Sequence, residues 1–276
     1  MINMKAIIFS DVRAIIHSKR FWIAVGLILM SSLINSMSTF LFEEDVPGGY
    51  IGIFLYGNIR GNPMMNFLAP FIPAFVFGPL AVAAMDTDLE LRQKAGIKKN
   101  LAAHSVSSVL TGAGVFIIAY AIVLVGCFIF DPTIQETKYI ATGLFADVYN
   151  TSIPMYIVLY ILYSSLFGAV YSFFSLGIGL ATRSHSMAMV LPGLIYYASY
   201  ILWGFVDNPF LSWVNLLLPS FTYEFNVVKD ASPILGKVAG LGCVILASVV
   251  MVVVAHKKLK RAVCGSMDEN TAKEEI

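Results

Sequence analysis

Apolar and polar positions fall in long blocks along this chain, not in the alternating stripes of a soluble helix or strand. Six nearly uninterrupted apolar runs stand out: Phe21–Phe42, Met64–Met85, Ser105–Phe130, Met155–Ala181, Met187–Val206 and Val238–Ala255. Each reaches or approaches the ~20 helical residues that cross a hydrocarbon core. No Lys, Arg, Asp, Glu or His lies inside any of them. A helix apolar on every side has no face to offer water and must be covered by lipid or by other helices. The expected fold is therefore all-α, with a membrane domain of six spans over 21–255.

Composition agrees with that reading. The 276 residues are 58% hydrophobic and 13% charged, with a mean hydropathy of +0.79. Soluble domains are ~45–50% apolar and about 25% charged. One soluble core cannot enclose so much apolar surface. A net charge of +1 excludes a nucleic-acid-binding surface, and three Cys, with Cys127 and Cys243 inside apolar runs, exclude a disulfide scaffold. The first run is a full span, so no cleavable leader is expected.

Positive charge sets the orientation. Fourteen of the 18 Lys and Arg lie in the N-terminal segment, the second and fourth connections and the C-terminal tail. Arg60, Lys138, Lys229 and Lys237 make up the opposite side. Both termini are thus expected in the cytoplasm.

The connecting segments carry their own signals. Residues 1–20 place Met4, Ile7, Ile8, Val12, Ile15 and Ile16 at helical spacing. They predict an amphipathic helix at the inner interface, with Lys5, Arg13, Lys19 and Arg20 near anionic headgroups. After the second run, Thr87 and Glu90 fit a capping box and Gly96 a helix stop, so a short charged helix is expected over 86–95. Asn208-Pro209 opens a further short helix, 209–218, and Tyr50–Tyr56 reads as a similar interfacial or re-entrant piece. The tail, 256–276, is basic and then acidic, and Ser266–Ile276 is expected to be disordered.

Within the runs, Pro70, Pro73 and Pro79 interrupt the second, and Phe67, Phe71 and Phe75 recur along it every four residues. In the fourth, Tyr156, Tyr160, Tyr163, Phe167, Tyr171 and Phe174 share one face beside a strip of small residues, Ser164, Gly168 and Ser172. Packing is the plainer use of such a stripe. A phenol in hydrocarbon needs a partner, however, so Tyr160 and Tyr163 are expected to face protein or water. Tyr196, Tyr197 and Tyr200 on the fifth run pose the same question. The runs hold no ionisable relay, and the chain has neither a P-loop nor an H-E-x-x-H motif. The chain is not expected to be an enzyme by itself, to bind a metal or to hold a cofactor.

Together the amphipathic N-terminal helix, six spans, the charged first cytoplasmic loop and the short outer helix before the sixth span resemble the ABC-2-type permeases, the membrane subunits of ATP-binding-cassette exporters. The stretch Ala84-Met85-Asp86-Thr87-Asp88-Leu89-Glu90, leading on to Ser105-Val106-Ser107, looks like that family's first cytoplasmic loop, although Lys99–His104 lacks the usual Pro. The resemblance implies a dimer of two such permeases, identical or homologous, on two cytoplasmic ATPase subunits that bind ATP and Mg. It makes Asp86, Thr87, Asp88, Leu89, Glu90, Leu91 and Arg92 the contact with the ATPase. It places the translocation path along the second and fifth spans, with Phe67, Phe71, Phe75 and Tyr200. Tyr160, Tyr163 and Tyr196 join them as candidates on their chemistry. The nearest likeness is to small bacterial plasma-membrane exporters of amphipathic peptides, such as phenol-soluble modulin or bacteriocin-immunity exporters. Two other readings compete with it: an ion-coupled or facilitative carrier acting alone, and a non-transporting scaffold or sensor.

Overall fold

A computed structural model describes residues 4–42, 49–58, 63–76, 96–133, 146–205 and 242–257. Every regular element among them is helical. The helices expected over 86–95 and 209–218, and the tail beyond Lys257, lie outside the described residues.

The chain opens with α1, Met4–Ile16, and α2, Lys19–Phe42. The single segment expected over 1–20 is thus divided. Ser18 ends one helix and starts the next, its Oγ accepting from the Phe21 N–H at 3.3 Å as an N-cap does. Ile15 is buried and Ile7, Ile8, Val12 and Ile16 are partly covered, while Lys5, Arg13, Lys19 and Arg20 are exposed.

Next come α3, Gly49–Asn58, and α4, Pro63–Leu68, with a turn at Ala69-Pro70 before a further helical stretch over 71–76. The long helices follow: α5, Ile97–Phe130, and, after the short α6, Ala146–Thr151, the 30-residue α7, Ile153–Thr182. The described elements finish with α8, His185–Phe205, and α9, Gly242–Lys257.

Three stretches among the described residues are long and apolar enough to cross a membrane: Lys19–Met37, Lys98–Phe130 and Ile153–Thr182. Their outward faces carry large apolar side chains, among them Leu33, Met37, Leu110, Val125, Leu162 and Leu166. A belt of that kind is stable in hydrocarbon and an aggregation surface in water. This is an all-helical membrane protein.

At 34 residues α5 is about 51 Å long, well beyond the ~30 Å of a hydrocarbon core. The apolar run begins only at Ser105, so the excess is the N-terminal turns, where Lys98 and Lys99 are exposed. There α1 docks. Asp11 lies 2.7 Å from His104 Nδ1 and accepts from Ser107 Oγ at 3.1 Å.

The centre of the bundle is α7, whose aromatic stripe is buried from Tyr156 to Phe174. It crosses α5 where Gly168 meets Gly112, each backbone occupying the place of the other's missing side chain. The small-residue strip on the fourth run is therefore a helix crossing, as such strips are in membranes. A left-handed Arg183 then turns the chain into α8, and Ser175 Oγ donates to the Ala188 carbonyl across the hairpin at 2.8 Å.

Candidate functional site

Two side-chain clusters stand out, one aromatic and one polar.

The aromatic cluster forms where the second and fifth apolar runs meet. Pro70 and Pro73 lack the N–H groups that would bond the carbonyls of Asn66 and Ala69, so the helix breaks at Ala69-Pro70. Phe67 and Phe71 stay neighbours across the break, with ring centroids 5.9 Å apart. Tyr197 on α8 touches both, 5.1 Å from Phe67 and stacked 6.1 Å from Phe71. Gly193 lies directly beneath Phe71, where any Cβ would collide with the ring. From Tyr197 the contacts continue inward to Tyr196 at 5.6 Å, then to Tyr171 and Phe167 of α7 at 6.1 and 6.2 Å. Phe67 is 56% exposed and Tyr196 only 6%, so the ladder runs from the surface of the chain to its core. Phe75 stands apart from it, under the Arg20 guanidinium at 6.0 Å, a cation–π contact.

Of the expected path residues, Phe67, Phe71 and Tyr196 are thus brought together by Tyr197. Tyr160 and Tyr163 are buried in this chain, at 1% and 7% exposure. The backbone of Tyr200 belongs to α8, but its side chain lies outside the described residues, as do Asp86 to Arg92.

The polar cluster holds the end of α3. Ten residues of helix extend about 15 Å, and this one is apolar on all sides, with Ile51, Phe54 and Leu55 buried. It starts beside the C-terminus of α5, where the Gly49 N–H donates to Asp131 Oδ2 at 2.7 Å, and ends inside the bundle. A helix ending there exposes carbonyls to a medium without water. Each is met. Asn35 Nδ2 donates to the Gly57 carbonyl at 3.1 Å, and Tyr160 donates its O–H to the Asn58 carbonyl at 3.0 Å. Asn58 Nδ2 donates to the Phe54 carbonyl at 2.9 Å, while Asn58 Oδ1 accepts from Ser32 Oγ. Because Tyr160 has one proton and Asn58 receives it, the 3.2 Å contact with Tyr120 places Tyr120 as the donor.

Asp131 lies just beyond the apolar run. The Thr133 hydroxyl, and after it the Thr133 and Gly49 amides, hold its carboxyl below the usual carboxylate range. Among the described residues, no three His, Cys, Asp or Glu side chains gather as metal ligands.

Sequence reasoning missed Asn35, Asn58, Gly112 and Gly193. A signal existed for the two amides, since Asn in a near-continuous apolar stretch carries a hydrogen-bonding demand as a charged residue does. For Gly112 and Gly193 there was none, because a glycine's partner is fixed only by how helices cross.

The fold and these clusters define an all-helical membrane protein with a buried half-helix and an aromatic seam. Comparison with family models, with curated proteins and with solved structures finds no match.

Proposed function

We propose that this chain is the permease subunit of an ATP-binding-cassette exporter, moving amphipathic or hydrophobic cargo, best exemplified by small peptides, out of a bacterial cell. In this reading six spans cross the plasma membrane with both termini in the cytoplasm. Two copies, or one copy and a homologue, pair on two ATPase subunits that bind ATP and Mg. The observation that carries the reading is the aromatic ladder from Phe67 through Tyr197 to Tyr196, which gives the second and fifth runs a common surface without a charge. Such a surface suits a cargo with an apolar face and disfavours a strongly charged one.

The overlength α5 supports the coupling role of the preceding loop. Its N-terminal turns, with α1 fastened to them, stand beyond the hydrocarbon core, so residues 86–95 lead directly into a rigid lever. ATP-driven movement of an ATPase docked on Asp86, Asp88 and Glu90 would pass along α5 to its crossing with α7.

The test is purification of the tagged full chain from its native membrane with its partners, followed by ATP-dependent peptide transport in vesicles. A P-loop ATPase should accompany the chain in near-stoichiometric amount. Asp88→Lys with Glu90→Lys should leave ATP hydrolysis running while transport stops. Undiminished transport by that variant, or transport by the purified chain without any ATPase, overturns the reading, the latter in favour of a self-sufficient carrier. Phe67→Cys and Phe71→Cys should react with water-borne thiol reagents in at least one nucleotide state, and silence in all states supports a scaffold instead.

A further inference from the structure

Pro192 sits inside α8 and has no N–H to give the Ala188 carbonyl one turn earlier. Ala188 is fully buried, so that oxygen cannot turn to water. Ser175 of α7 supplies the missing donor, its Oγ 2.8 Å from the Ala188 carbonyl. A hydroxyl on a neighbouring helix is one of the ways a proline is accommodated inside an apolar helix. Here it also moves the bond off α8. Bending α8 at Pro192 breaks no bond to Ala188, because α7 holds that bond.

The two sides of Pro192 are held by different partners. His185–Leu191 are fastened to α7 by the short connection at Arg183-Ser184 and again by Ser175. Beyond Pro192, Gly193 has no side chain, and the Phe71 ring occupies its place. Phe71 also stacks on Tyr197 at 6.1 Å, and it lies between Pro70 and Pro73, just past the turn that interrupts its own helix.

We infer that α8 is hinged at Pro192-Gly193 and that Phe71 is the wedge that sets its angle. Proline and glycine are residues at which helices bend, and here they are adjacent. With Phe71 seated on Gly193, the hinge is blocked on that side. With Phe71 displaced, the segment beyond Gly193 swings and takes Tyr196 and Tyr197 along, while His185–Leu191 stay on α7. In the exporter reading, on which this use of the hinge rests, an apolar side chain of the cargo that pushes Phe71 off Gly193 would bend α8. The aromatic ladder would then open where the cargo enters it.

The test uses the full chain in phospholipid vesicles, its three native Cys replaced by Ala, with pairs of nitroxide labels whose separation is read by electron–electron double resonance on frozen samples. One label sits at the exposed Leu162 of α7. The second sits either before the hinge, at Met187, or beyond it, at Ala198, both exposed. Ala198 lies six residues past Pro192, a lever of about 9 Å, so a bend of about 20° moves it by about 3 Å. Neither ATPase nor cargo is present, so the hinge and the exporter reading fail separately. Phe71→Ala should shift the 162–198 distance by about 3 Å or more and leave 162–187 as it was. Adding Pro192→Ala, which returns an N–H to the helix, should abolish the shift. Should Phe71→Ala melt early, Phe71→Leu, which keeps more of the packing, takes its place. A 162–198 distance that does not move, two distances that change together, or a shift that survives Pro192→Ala would overturn the hinge.

Discussion

Gly112 and Gly168 meet back to back at the crossing of α5 and α7. A side chain added to either would run into the other's carbonyl oxygen, and Phe116 and Ser172 close the flanks. Backbones in such contact gain dispersion and Cα–H···O interactions that larger residues forbid. Gly112→Ala and Gly168→Ala are each expected to destabilise by about 1–3 kcal/mol through overpacking. Thermal melting in detergent checks this. Gly114→Ala is the control, since a Cβ there meets nothing within 4 Å. The Gly112/Gly168 double variant should cost less than its two parts together, because both changes wedge apart the same contact.

Tyr160→Phe removes the donor to the Asn58 carbonyl and leaves that oxygen buried. A loss of about 1–3 kcal/mol is expected. Asn58→Leu keeps that backbone carbonyl and its Tyr160 bond but takes the acceptor from Ser32 Oγ and one donor from the Phe54 carbonyl, and a comparable loss is expected. Denaturant titration followed by hydrogen exchange should find the largest loss of protection within 49–58. Uniform loosening across α7 would instead mean that α3 does not depend on this cluster.

Asp11 connects α1 to α5 through His104 and Ser107. Asp11→Ala should loosen α1 alone. Amide exchange over 4–16 is expected to quicken about tenfold, equivalent to ~1.4 kcal/mol, while 105–130 stays protected. Unchanged exchange in 4–16 would show that the apolar contacts of Ile15 and its neighbours hold the helix by themselves.

Asp131 predicts a dependence on pH. Its carboxyl is depressed in the folded state, by Thr133 first and then by Gly49. The sign follows: the stabilisation is complete above the ordinary carboxylate pKa of ~3.9 and is lost as pH falls through the lower folded value. Asp131→Asn should melt below the natural protein at pH 7, and the two curves should converge in strong acid. A difference that persists there would trace to the shape of the side chain, not to its charge.

The apolar blocks located α2, α5, α7 and α8 to within a few residues, except at the start of α5, because a helix in hydrocarbon leaves few options for its composition. They could not reveal that α5 begins at Ile97, since its first turns are polar and read as loop. Nor could they place α3 inside the bundle. Ten apolar residues are too few to span, and nothing local separates an interfacial piece from a buried one. Phe67 and Phe71 were found by a spacing of four that Pro70 then interrupts. They meet nonetheless, because both pack on Tyr197, one turn from the Tyr200 that the resemblance pointed to. The stripe on α7 was legible as a stripe, while its mates on α5, Gly112, Phe116 and Tyr120, also fall every four residues but sit in a run apolar on all sides, where nothing sets that face apart.

The Tyr160–Asn58 bond joins residues 102 positions apart. During synthesis, α3 leaves the ribosome long before its last hydrogen-bond donor has been made. Until α7 arrives, the Asn58 carbonyl must stay in water or at the headgroups, since a bare carbonyl in hydrocarbon costs several kcal/mol. Assembly therefore has an order written into it. The α2 side chains that meet the end of α3 are made before it, and Tyr160 follows long after. A chain cut short before Tyr160 keeps the α2 and α5 partners of α3 and leaves the Asn58 carbonyl without its donor.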